Sequence, residues 1–267
     1  KREGVVLRLF EPSTVSDDEN IDRLSRCITK RTRLISIPHA LTTTGTILPV
    51  ARIARLASGK KIWFFVDGAQ TAGMIPFNLH DIGCDAYATS GHKWLLGPKE
   101  TGLLYVRRDM LDTIGAKFVG AYSGGDFDLL KGTVAFNGAA QRYEYGTVST
   151  PLRAGLGAAI AFIRNVGIER VWKRDRMLAN AFVEGIAGIP DIRLLSPARP
   201  ESRSAMITVM HRTISHEKLQ AHLDTYNLRT RSVTEGGMAA LRLSFHIYNT
   251  PGEVSRALDA LRTAPKG

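Results

Sequence analysis

No stretch of the chain stays apolar for the ~18 residues that a membrane-crossing helix requires, so the sequence holds no candidate span. Cysteine is scarce. Cys27 and Cys84 stand far apart with neither metal-ligand nor redox spacing, which excludes a disulfide framework and a cysteine metal site. Two such thiols fit a reducing compartment, and a cytoplasmic protein is expected. The opening KREGVVLRLFEPST has no signal-peptide pattern and does not begin with Met, while Gly4 to Leu9 already reads as a strand. The sequence therefore reads as starting inside a longer protein. Repeats and low-complexity segments are absent as well.

What is present is a large apolar fraction, 44% of 267 residues, enough for a real core. The formal charge is +11. Its lysines and arginines are scattered through helices and loops, with no basic stripe interleaved with aromatics, which speaks against nucleic-acid binding and for small anionic ligands.

Short apolar runs alternate with helical spacing over the first half. VVLRLF, RLISIP, IWFFVDG, DAYATS and GLLYVRR read as strands; Asp18 to Thr29 and Leu48 to Ala57 read as helices. This order predicts an α/β fold with a mostly parallel sheet flanked by helices. From Thr150 the texture changes. Two long helices are followed by RLLSP, SAMITVMH, a helix near Ser215 to Thr225, LRTRSV, ALRLSFHIY and a last helix from Pro251 to Arg262, the pattern of a smaller C-terminal α+β domain. The division expected is 1–160 and 161–267. Ser123 to Asn137 and Pro197 to Ser204 read as the least regular loops.

In an open parallel sheet, ligands gather beyond the carboxyl ends of the strands. His39 and Thr42 follow RLISIP; Asp67, Gly68 and Gln70 follow IWFFV; Gly91, His92 and Lys93 follow DAYATS. Singly, each has a bland reading: a helix cap, a core histidine, a solvated charge. Together they place a carboxylate, an amide, an imidazole and an amine at one sheet edge. A lysine amine condenses with an aldehyde, a carboxylate keeps a pyridine ring protonated and electron-accepting, and hydroxyls and backbone N–H groups hold phosphate.

VDGAQTAG followed by DAYATSGHKWLLGPKETGLLYV resembles the cofactor-binding core of class V aminotransferases, fold-type I pyridoxal-phosphate enzymes, over almost the whole chain. The resemblance implies pyridoxal 5′-phosphate as cofactor, joined as a Schiff base to Lys93, which also moves the proton at the substrate α-carbon. It implies Asp67 at the pyridinium nitrogen, Gln70 and Thr42 near the ring's phenolic oxygen, and Ser90 and His92 at the phosphate. RYEYGTVSTP resembles the family's Gly-Thr segment, so Gly146 and Thr147 would reach the cofactor of a neighbouring subunit in a homodimer. The residue-level alternative is a helix start capped by a hydroxyl. In ALRLSFHIYNT, alternation puts Leu241, Leu243, Phe245 and Ile247 on one face and Arg242, Ser244, His246 and Tyr248 on the other. Relatives carry an arginine before the Tyr-Asn-Thr turn, so Arg242 would grip a substrate α-carboxylate; Arg229 and Arg231 are the weaker alternatives.

The segment after LRT, RSVTEGGMAA, has no cysteine where a cysteine desulfurase carries its sulfur-accepting thiol. The expected reaction is therefore at the α-carbon of an amino acid or derivative, isopenicillin N epimerase-like, with a C–S lyase (β-eliminase) or aminotransferase as alternatives. Family members carry a substantial portion ahead of the region matching KREGVVLRLF. A chain without it would serve instead as a non-catalytic dimerisation or binding module.

Overall fold

The computed structural model describes residues 3–265. Helix α1 (Asp17–Cys27) begins where Ser16 caps the Glu19 N–H and three acids, Asp17, Asp18 and Glu19, face the positive end of the helix dipole. It leads into β1 (Leu34–Pro38), α2 (Val50–Gly59), β2 (Trp63–Asp67), the single turn α3 (Leu79–Ile82), β3 (Ala86–Ser90) and β4 (Gly102–Val106). The sheet order is β1-β2-β3-β4; β1, β2 and β3 run parallel and β4 returns antiparallel. One face, with Ile35, Ile37, Phe64, Val66 and Tyr87, packs on Ile53, Ala54 and Ala57 of α2. The register puts Leu34, Trp63, Asp67 and Leu104 on the opposite face. There the three apolar side chains stay exposed by 46%, 43% and 49%.

The hairpin β5 (Gly124–Asp128) and β6 (Thr133–Phe136) follows, then the consecutive helices α4 (Thr150–Val166) and α5 (Ile168–Ile186), hinged at Gly167. The rest builds a second, antiparallel sheet from β7 (Ile192–Leu194), β8 (Met206–His211), β9 (Arg231–Val233) and β10 (Ala240–Ser244), in the order β7-β8-β10-β9. Helices α6 (His216–Asp224) and α7 (Pro251–Arg262) complete it. Its core combines Phe182, Ile207, Leu219, Leu241 and Leu261 with Ala40, Met74 and Trp94 from the first half, so apolar packing is continuous across residue 160. Helix α7 opens with a full capping box between Thr250 and Glu253 and with Pro251 in its first turn. Thr250→Ala is expected to cost about 1 kcal/mol, read as a lowered denaturant midpoint at unchanged slope.

Three sequence expectations are corrected. VVLRLF forms no strand: residues 5–10 are irregular, with Leu7 and Leu9 exposed by 78% and 81%. Apolar alternation marks a strand only when a neighbour supplies the hydrogen-bonded ladder, and among the described residues none runs beside this segment. Ser123 to Asn137 is not an irregular loop but the β5–β6 hairpin, bulged between Gly124 and Phe127. The strand expected through Tyr248 ends at Ser244, and His246 just beyond it is buried.

Candidate functional site

Strand ends β1, β2 and β3 meet at two adjoining clefts. The first, about 390 Å³, is lined among others by Ser36, Thr42, Thr43, Asp67, Gln70 and Lys93. The second, about 250 Å³, is lined by Gln70, His92, Lys93, Trp94, Arg242, Ser244, His246 and Tyr248. Lys93 and Gln70 line both, with Asp67 in the first and Arg242 in the second.

Local sequence explains this convergence. Gly68 follows Asp67 because a Cβ there would lie 1.9 Å from the Tyr87 ring. The Tyr87 hydroxyl pairs with Thr71 Oγ1 at 2.6 Å and His39 Nδ1 at 3.0 Å, a buried polar chain beneath the strand ends. Burial holds the His39 imidazole down at about 4, so His39 is a neutral structural group that touches neither cleft. Gly73 takes φ 92°, and a Cβ there would meet the Trp94 carbonyl oxygen at 2.4 Å, which lets the Lys93 turn lie against the Asp67 segment.

Asp67 Oδ1 accepts the Ala69 N–H at 2.8 Å, and no ion pair engages this carboxylate among the described residues. Gln70 accepts from Trp94 Nε1 at 3.0 Å and donates to Thr42 Oγ1 at 3.3 Å, leaving its second amide hydrogen for a ligand. Thr42 also receives Arg242 Nη1, at 2.9 Å on its carbonyl and 2.7 Å on its hydroxyl. Arg242 Nε is buried without a partner among the described residues. Burial first, then the positive Arg231, brings the Arg242 guanidinium down to about 10. Arg231 stands directly across from it on β9, paired with Glu235. The Lys93 ammonium lies below the usual lysine range, chiefly through burial; Asp67 opposes this, while Arg242 and Arg231 add to it. An anion arriving between these cations would relieve both depressions.

Of the expected residues, Lys93, Asp67, Gln70, Thr42, His92 and Arg242 meet around the clefts. Ser90 ends β3 without lining either, and Gly146 and Thr147 lie in the loop ahead of α4, also away from both. Ser149, not Thr147, caps that helix. Arg229 is exposed and lines neither cleft. Trp94 was not singled out from sequence, although a tryptophan directly after the lysine was a visible signal; Arg242 and Arg231 were both named, but not that β10 and β9 set them opposite each other. Cys27 and Cys84 line neither cleft; Cys84 is buried and its thiol is pushed up to about 11.

A lysine whose pKa burial lowers thus lines both a cleft with a carboxylate and a cleft with a guanidinium, at the edge of a mostly parallel sheet where open α/β folds gather ligands. The chain belongs to the class-V aminotransferase family, whose model matches residues 1–257. Pyridoxal 5′-phosphate is the cofactor of that family. The chain is similar to a cysteine desulfurase of Haloferax volcanii, 28% identical over 99% of this chain and 63% of the relative. It is also similar to the apo structure of a cysteine desulfurase from Thermococcus onnurineus NA1, with TM-score 0.84 and 26% identity over 96% of this chain and 65% of that one. A third similarity is to the cystine C–S lyase C-DES, solved with its product cysteine persulfide, with TM-score 0.83 and 25% identity over 92% of this chain and 65% of that one. The chain thus spans less than two thirds of each. These names overturn the expected ranking of epimerase ahead of desulfurase: the relatives are carbon–sulfur enzymes. Among the described residues no helix is long and apolar enough to cross a membrane.

Proposed function

We propose that this chain carries the cofactor-binding and substrate-binding residues of a pyridoxal-phosphate-dependent enzyme that cleaves a carbon–sulfur bond in a cysteine-type amino acid. The observation that carries it is the shared position of Lys93, which lines one cleft with Asp67 and the other with Arg242. The donor set fits the cofactor: an amine for the aldehyde, a carboxylate without an ion-pair partner among the described residues for the ring nitrogen, and a spare amide hydrogen on Gln70 for the phenolic oxygen.

When bound, the cofactor supplies an electron sink for charge that develops at the substrate α-carbon. Lys93 would hold the aldehyde carbon and afterwards take the α-proton, a role suited to an amine whose burial favours its neutral form. Asp67 would keep a negative charge opposite the ring nitrogen. Gln70 and Thr42 would orient the ring's oxygen, and Ser90 and His92 would serve the phosphate. Arg242 would exchange its Thr42 contacts for the substrate carboxylate. Expelling sulfur from the β-carbon requires one α-deprotonation on one face, which a single lysine can serve. It requires no thiol of this chain, in keeping with Cys27 and Cys84 lying away from the clefts.

We propose a homodimer in which Gly146 and Thr147 approach the partner's cofactor. The exposed apolar residues Phe127, Leu130, Tyr145 and Val148 around that loop support it. A division near residue 160, between the mostly parallel sheet and the antiparallel one, is proposed as well. Sedimentation should give twice the chain mass; a monomer at micromolar concentration refutes the dimer.

The reading is tested by adding the cofactor, reducing with borohydride and mapping the modified lysine, then assaying, without borohydride, sulfide release from cysteine and cysteine persulfide release from cystine. Modification at Lys93, with sulfide from cysteine or persulfide from cystine, is expected; modification elsewhere refutes it. Arg242→Ala should raise KM about tenfold or more while cofactor absorbance persists. An unchanged KM would confine Arg242 to tethering Thr42.

A further inference from the structure

Asp175 on α5 and His246, just past β10, are the most deeply buried ionisable pair among the described ion pairs, with side chains 0% and 3% exposed. Asp175 Oδ2 lies 2.8 Å from His246 Nδ1, and His246 Nε2 lies 3.0 Å from the main-chain oxygen of Trp94, the residue after Lys93. A carbonyl oxygen only accepts, so Nε2 carries a hydrogen. The Asp175–Nδ1 contact then needs one further proton between its two atoms. The couple holds two protons and no net charge. Asp175 Oδ1 has no partner among the described residues, and burial pushes this carboxyl up against the pull of His246, both in keeping with a shared proton.

The same tryptophan is fixed on three other sides. Its indole N–H donates to Gln70, its ring meets His246 edge-on at a centroid distance of 5.0 Å, and its carbonyl lies where only a residue without a Cβ, Gly73, leaves it room. The turn is closed by the Leu96 N–H on the Lys93 carbonyl at 3.0 Å, with Leu96 at φ 61°. Buried ionisable pairs add little stability over apolar packing of equal volume, so filling space does not by itself account for this one. What the pair supplies is a directed N–H aimed at the backbone beside the amine.

We propose that Asp175 and His246 are positioning residues for Lys93: they hold the Trp94 carbonyl and thereby the turn that presents the amine between the two clefts. The inference rests on the Lys93 reading above. Neither residue touches the cofactor's reacting atoms in this role; both act through the backbone at Trp94.

The test uses the full chain with pyridoxal 5′-phosphate and borohydride, following the rate at which Lys93 is modified by peptide mass spectrometry. His246→Leu, matched for fold by circular dichroism, should slow modification of Lys93 about tenfold, because a displaced amine loses its alignment. His246→Gln, whose amide can donate to the Trp94 carbonyl, should restore the rate to within a few-fold. Asp175→Asn, whose amide can donate to Nδ1 and leave the Nε2–H in place, should stay near the wild-type rate. A folded His246→Leu that traps at the wild-type rate, or a Gln variant no better than Leu, overturns the proposal. Should the Leu variant not fold, 15N-histidine NMR of the cofactor-free wild-type chain decides: a His246 Nε2 without a hydrogen overturns the proposal, and a protonated one supports it. Wild-type modification at a lysine other than Lys93 instead sinks the underlying site reading, so the two failures are told apart.

Discussion

Lys93→Ala is expected to abolish the cofactor's visible absorbance on the protein and to remove borohydride-fixed label from the site. Turnover should fall by about 10² to 10⁴-fold or more, the range associated with losing a general base, with the covalent tether lost as well. The physical cause is specific. Burial keeps this ammonium below the usual lysine range, and the positive Arg242 and Arg231 push in the same direction, while Asp67 opposes them. Only the neutral amine attacks an aldehyde. Capture should therefore rise with pH and level off at a lower pH than for a free lysine derivative, as the depressed value requires. A wild-type chain that captures pyridoxal phosphate no earlier on the pH axis than the derivative would contradict this electrostatic account. An alanine variant that keeps full turnover would remove Lys93 from the chemistry altogether.

Asp67→Ala is the second large effect. The carboxylate ends β2 with Oδ1 satisfied by the Ala69 N–H, and among the described residues no ion pair neutralises it. Its charge is thus available to a cationic ring nitrogen, and a charge-assisted hydrogen bond of that kind corresponds to roughly ten- to hundredfold in cofactor affinity. Turnover should fall further than affinity, since a neutral ring withdraws electrons poorly. Equilibrium dialysis with the cofactor and turnover at saturation separate the two. Asp67→Asn should keep the Ala69 contact and the fold yet lose most of the turnover, whereas full activity in the Asn variant would show that no charge is needed there.

The strand ends that carry Asp67 and Lys93 were legible because β1, β2 and β3 are short apolar runs closed by Gly, Pro or polar residues. That mark is local and shows even though one face of the sheet stays exposed in this chain. Helix α7 was legible to the residue, since Thr250, Pro251 and Glu253 form a local cap that needs no distant partner. VVLRLF failed for the opposite reason: a strand is defined by its neighbour, and the pattern alone cannot supply one. The hairpin at Gly124 to Phe136 was missed because its glycines and acids hide the alternation. Asp175 stands in a run of lysine and arginine, KRDR, that reads as a wet helix face, yet its side chain is fully buried. His246 shares a face with Arg242, Ser244 and Tyr248 as the alternation expects, all four lining one cleft; what the pattern could not show is its burial, because β10 ends at Ser244 and the contacts beyond it are tertiary.

By itself, the sequence determined the α/β order, the family, and which side chains follow each strand end, because periodicity, caps and turn residues are local properties. Only the tertiary structure decided that Arg242, from β10, is tied to Thr42, from the far half of the chain, and that a buried Asp–His couple grips the backbone next to Lys93. Those relations join residues up to 200 positions apart, and they exist only once packing has excluded water and left each polar group to find its partner inside the protein.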